Sequence, residues 1–272
     1  MANENDLRKW QKLGMELHDK LRLLTFPLAV RFISDLEKEI PKGAMRPKAL
    51  GRQMTLCQSF TMARRSGLNM VQTLEDNQCT TSSICHGWGE IDTNDLLQSQ
   101  VISGYHANPE AERKFSLNRK LLPAGQFSGM VISPLPKTII EPMVVLVYGN
   151  PAQIFHLVQS LTYHGRTITS NFYGYGESCM KGLIDPFLTG EPQVVLPGTG
   201  DRGAALTTDD EMAMGIPSAL LQEAVDNLFK SAGRYGLKQP INWYPPHLPR
   251  AFEPPAWQFN RDKLAEKKNK GK

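Results

Sequence analysis

The sequence predicts an α/β or α+β body in which two similar strand-helix-strand halves form one compact layered unit, and three observations predict it. Short β-prone runs, such as Met143-Val144-Val145-Leu146-Val147-Tyr148, alternate with longer stretches whose apolar residues fall three and four apart. A pattern recurs, first as Pro27-Leu28-Ala29-Val30, Gln58-Ser59, Gly67 and Cys79, then as Pro142-Met143-Val144-Val145, Gln159-Ser160, Gly165 and Cys179. The length of 272 residues suits one large core or two closely packed halves. The body is therefore placed at residues 1–239, with halves at about 15–127 and 128–232. A proline-rich C-terminal strap follows at 240–260 and a disordered basic tail at 261–272.

The elements follow in order. Leu7, Trp10, Gly14, Leu17, Leu21 and Leu24 share one face of a helix over 5–24, with Arg8, Lys12, Glu16 and Lys20 opposite. A strand over 26–33 opens at Pro27, where a missing donor does least harm. Pro41, Gly43, Pro47 and Gly51 impose irregular chain, and a helix over 53–66 stops at Gly67, a left-handed cap position. Cys79 to Gly89 is polar and glycine-containing and reads as a loop. Short helices are expected at 94–102 and 109–117, strands at 128–133 and 143–149, and a helix from Pro151 to Tyr163. A strand at 193–196 precedes a final helix over about 210–230, which Pro217 kinks. Six prolines between 240 and 255, interleaved with Trp243, Tyr244 and Phe252, describe an extended strap laid over the body or over a neighbouring copy, so a homo-oligomer held by this strap is expected.

Composition narrows the function classes. Residues 261–272 hold six basic and two acidic residues, which accounts for the whole net charge of +4. The body is charge-balanced, so no nucleic-acid partner is expected. No apolar run approaches the roughly 20 residues of a membrane span, so no membrane partner is expected either. Four cysteines without a leader pattern fit a reducing compartment, and the chain reads as cytoplasmic.

The chemistry-bearing residues are few. Cys57, Cys79, Cys85 and Cys179 are soft ligands for a metal or an iron-sulfur cluster, although the paired knuckles of a zinc ribbon are missing. Cys57, beside Leu56 and Phe60, also reads as a small buried hydrophobe. His86 adjoins Cys85, but neighbours in sequence rarely face one another, so it reads first as an interfacial histidine. Pro197-Gly198-Thr199-Gly200-Asp201-Arg202-Gly203 satisfies a dinucleotide-type glycine pattern in letters, yet the helix signal begins only later, so no convincing nucleotide signature results. The segment reads as a tight turn holding Gly200, Asp201 and Arg202, with Arg202 gripping an anion or clamping a nearby acid.

Cys57, Ala63-Arg64-Arg65-Ser66-Gly67, Cys79, Pro142-Met143-Val144-Val145, Gly174, Cys179 and Pro197 through Arg202, in that order, resemble the ArCR-type family of uncharacterised prokaryotic proteins, a domain of unknown function, over roughly residues 15–232. The resemblance implies no activity. It implies that Cys57, Cys79, Cys179 and the Gly-Asp-Arg segment are motif positions and that Cys85 is peripheral. The expected function is a thiolate-ligated metal or iron-sulfur site that handles a small anionic substrate or electrons. The alternative is a non-enzymatic ligand-binding or accessory protein whose cysteines are structural.

Overall fold

The computed structural model describes residues 4–89, 98, 101–174, 176–230 and 255–270. Helix α1 (Glu4–Leu21) leads into strand β1 (Leu28–Ile33), then a short helix α2 (Leu36–Glu39), helix α3 (Leu56–Ser66), strand β2 (Met70–Thr73) and helix α4 (Thr80–Cys85). Helix α5 (Pro109–Leu117), strand β3 (Gly129–Pro134), strand β4 (Val144–Gly149) and helix α6 (Pro151–Thr162) follow. A π-helical turn (Glu177–Lys181) then leads to helix α7 (Ile184–Thr189), strand β5 (Gln193–Val195), helix α8 (Thr199–Ala204), strand β6 (Met212–Pro217) and helix α9 (Leu221–Asn227). Helix α10 (Pro255–Lys270) ends the described chain.

The strands form one sheet in the order β2-β3-β1-β4-β6-β5, with antiparallel ladders throughout. Because side chains alternate across a strand, each strand supplies both faces. Leu28, Val30 and Phe32 of β1 join Leu56, Phe60 and Ala63 of α3 and Met180, Leu183 and Ile184 around the π-helical turn. Ala29 and Ile33 of the same strand join Trp10, Leu13 and Leu17 of α1 and Leu157 and Leu161 of α6 on the opposite face. The result is three layers, with the sheet buried on both sides, as its nearly unbroken apolar strands require.

Outward from the centre, β1-β3-β2 on one side is matched by β4-β6-β5 on the other. The two Gln-Ser pairs of the repeated pattern do not correspond in space. Gln58-Ser59 lies on α3, against the first face, whereas Gln159-Ser160 lies on α6, against the second. The second-half element that shares the α3 face is the π-helical turn, which carries Cys179. Cys79 opens a six-residue helix after β2, as Gly198 opens one after β5.

Three segments differ from their sequence reading. Residues 80–85 are helical rather than loop, because Asn77 Nδ2 satisfies the Ser82 and Ser83 hydroxyls at 2.7 and 2.9 Å and lets the polar run turn. Met212–Pro217 is a strand and not the start of a long helix; it pairs with β4 from Val144 to Gly149. Residues 261–270, expected to be disordered, continue helix α10. Most of the expected strap (240–260) and of the 94–102 helix lies outside the described residues.

Candidate functional site

Cys57, Cys79, Cys179 and Asp201 line one cavity of about 110 Å³ on the α3 face of the sheet. Each reaches it from the edge of a tight local structure. Thr55 caps α3 by a reciprocal box: its Oγ1 accepts the Gln58 N–H at 3.2 Å and the Gln58 Oε1 accepts the Thr55 N–H at 2.9 Å. Cys57 is thereby fixed in the first turn. Cys79 is the N-cap residue of α4, and Asn77 Oδ1 holds its N–H at 3.1 Å.

Cys179 sits in the π-helical turn, closed by a Gly182 N–H to Glu177 carbonyl bond of 2.8 Å across five residues. Such turns concentrate at functional sites. This one rests directly on β6: a Cβ on Gly215 would lie 2.0 Å from the Gly182 carbonyl oxygen, so only glycine permits the approach. Glu177 anchors the preceding loop by accepting the N–H groups of Gly174, at 2.7 Å, and Tyr173.

Asp201 is 3% exposed. Its Oδ1 accepts the Tyr148 hydroxyl at 3.0 Å and its Oδ2 accepts the Gly198 N–H at 3.2 Å. Arg64 stacks on the Tyr148 ring at 4.2 Å and is neutralised by Glu211, whose Oε1 lies 2.5 Å from the guanidinium. Arg64 is thus already paired, and among the described residues no lysine or arginine lines the cavity.

The electrostatics follow from that arrangement. Contact with Cys179, burial and the Asp201 carboxylate push the Cys57 thiol well above its ordinary range. Burial and Cys179 push Cys79 up, opposed by the Ser82 and Thr81 N–H groups at the start of α4 and by the Ser82 hydroxyl. Burial raises Asp201 against the donors that favour its charge. Acidic groups accumulate here with no countercharge among them.

The expected residues divide on geometry. Cys57, Cys79, Cys179, Gly200 and Asp201 line the cavity together. Cys85 does not: it is fully buried in the apolar core, which pushes its thiol up to about 12, and it is a packing residue. His86 is fully buried between Phe32 and Trp88; its Nδ1 donates to the Ser82 carbonyl at 2.7 Å and burial draws it down to about 4, so it is a structural histidine. Arg202 does not line the cavity, and its guanidinium clamps neighbouring backbone. Its Nε, Nη1 and Nη2 donate to the carbonyls of Pro197, Thr208 and Glu211 at 3.0, 2.5 and 3.2 Å. The sequence reading missed Tyr148 and Arg64 as partners of the site; the signal was a lone hydroxyl closing the apolar run of β4.

Among the described residues, no three His, Cys, Asp or Glu side chains stand in an arrangement that encloses a metal ion. The three thiols face a common space without converging on one point.

Fold and cavity together define a class: a mixed α/β protein with a six-stranded antiparallel sheet and a thiol-lined hollow on one face. The chain belongs to the DUF169 family, described as uncharacterised ArCR, whose model matches residues 16–227. No curated protein and no solved structure matches it. No helix among the described residues is long and apolar enough to cross a membrane.

Proposed function

We propose that the cavity holds a thiophilic metal centre, an iron-sulfur cluster being the leading assignment, with Cys57, Cys79 and Cys179 as its ligands. The observation that carries this reading is the uncompensated collection of three thiols and a carboxylate around one 110 Å³ space. Burial and mutual repulsion hold protons on Cys57 and Cys79, and a cation relieves both costs by displacing those protons. Cys57, Cys79 and Cys179 would have to converge further to hold such a centre. Three thiolates leave one position open, so the bound centre supplies a Lewis-acid or electron-transfer site for a small anionic substrate. Asp201, held by Tyr148 and Gly198, is placed to accept or return a proton beside Cys57. Four free cysteines fit a reducing, cytoplasmic setting.

Anaerobic purification and reconstitution with ferrous iron and sulfide, or with zinc, tests this. Stoichiometric metal is expected in the parent chain and in Cys85→Ser, and its loss in Cys57→Ser, Cys79→Ser and Cys179→Ser. The second reading, an accessory protein with structural cysteines, draws support from the core position of Cys85. It prevails if no variant and no condition gives bound metal.

A further inference from the structure

A second cavity, of about 350 Å³, lies beside the cysteine hollow and has the opposite character. Consecutive residues divide between the two: Cys57 lines the first and Gln58 the second, Cys79 the first and Gln78 the second. Its volume is at the lower end of small-molecule sites, which run from about 300 to 1,000 Å³. Among the described residues no acid lines it, and no lysine or arginine lines the first cavity.

Two side chains of this cavity, Gln58 and Arg52, offer donors that have no partner among the described residues. The Gln58 side-chain oxygen is committed to the cap of α3, which leaves its amide nitrogen with no partner among the described residues. Arg52 has neither an ion pair nor a hydrogen bond among them. Met54, Met62 and Leu206 line the same cavity.

Leu206 supplies an independent sign. It is 70% exposed and holds φ at +55°, a conformation that a leucine adopts only under constraint. The constraint is visible: its carbonyl accepts from Arg65 at 2.9 Å and from Arg64 at 3.5 Å. The backbone is thus pinned from behind while an apolar side chain is presented at the cavity.

We propose that this cavity binds a small carboxylate with a short apolar chain. The carboxylate pairs with Arg52 and the Gln58 amide, and the chain lies on Met54, Met62 and Leu206. No cysteine takes part, so the inference stands apart from the metal reading and is tested on metal-free protein.

The probe is hexanoate, titrated calorimetrically into the full chain, with hexylamine as its charge-reversed counterpart. Saturable binding of hexanoate alone is expected. Arg52→Gln weakens it roughly tenfold through loss of a charge-assisted bond. Leu206→Gly weakens it without lowering the melting temperature, because glycine accepts the positive φ. Ala204→Trp, at an exposed position on the cavity wall, abolishes it. Absence of saturable hexanoate binding, equal binding of hexylamine, or undiminished affinity in Arg52→Gln overturns the proposal, and the Arg52 variant decides even if Ala204→Trp fails to fold.

Discussion

Tyr148 donates its hydroxyl to Asp201 across 3.0 Å, which ties the end of a central strand to the first turn of α8 and orients the only carboxylate that lines the cysteine cavity among the described residues. Tyr148→Phe removes that donor and little else. Burial already raises Asp201 above the usual carboxylate range, and the Tyr148 bond opposes it, so the variant raises Asp201 further. A carboxyl raised in the folded state contributes stability that is present below its unfolded value, about 3.9, and is lost as pH rises through the folded value. The penalty of the variant therefore grows between about pH 4 and about pH 7, from about 1 kcal/mol for a bond to the neutral acid toward about 3 kcal/mol for a bond to the charged one. Urea denaturation of the metal-free protein at both values measures this, and equal penalties would show that Asp201 never ionises.

His86 governs the acid limb. Its imidazole is fully buried and drawn down to about 4, first by burial, so the folded protein keeps it neutral where the unfolded chain charges it. A depressed base contributes stability above its unfolded value of about 6.5, and this is lost as pH falls toward about 4, a total of about 3 kcal/mol. His86→Gln cannot titrate, so its stability curve is flatter by that amount across the same window. Parallel curves for parent and variant count against the assignment.

Much of the fold is legible because its signals are local. The apolar faces of α1 and α6 and the cap at Gly67, with φ of 73°, follow from spacing and residue type alone. Strand β6 is not legible: Met212 to Pro217 contains methionine and alanine, which favour helix in isolation, and only pairing with β4 makes them extended. The site was legible as a set of cysteines but not as an arrangement. Cys85 and Cys79 look alike in sequence, and only the turn of α4 sends one into the core and the other to the cavity. Arg202 misled for the same reason, since the carbonyls it binds come from a return of the chain that no motif announces.

Gly215 sets the position of Cys179. A methyl group at 215 meets backbone, not a flexible side chain, so the π-helical turn must lift from the sheet. Gly215→Ala is expected to cost about 3 kcal/mol, as overpacking of a rigid contact does. Cys179, now 6% exposed, should also be alkylated faster in native protein, which peptide mass spectrometry reads directly. Unchanged stability and an unchanged alkylation rate would mean that the turn tolerates the shift.

Arg202 separates scaffold from site in one substitution. Its planar fork spans three carbonyls, of Pro197, Thr208 and Glu211, and joins the start of α8 to the loop before β6. Lysine keeps the charge but has a single nitrogen and cannot reach all three acceptors. Two lost hydrogen bonds at a partly exposed side chain, at about 1 kcal/mol each, amount to about 2 kcal/mol, or a melting temperature lower by about 5 °C. Arg202 lines neither cavity, so metal loading and hexanoate affinity should be unchanged in Arg202→Lys. A variant that melts like the parent yet loses affinity for anions would reverse this assignment and return Arg202 to the binding site.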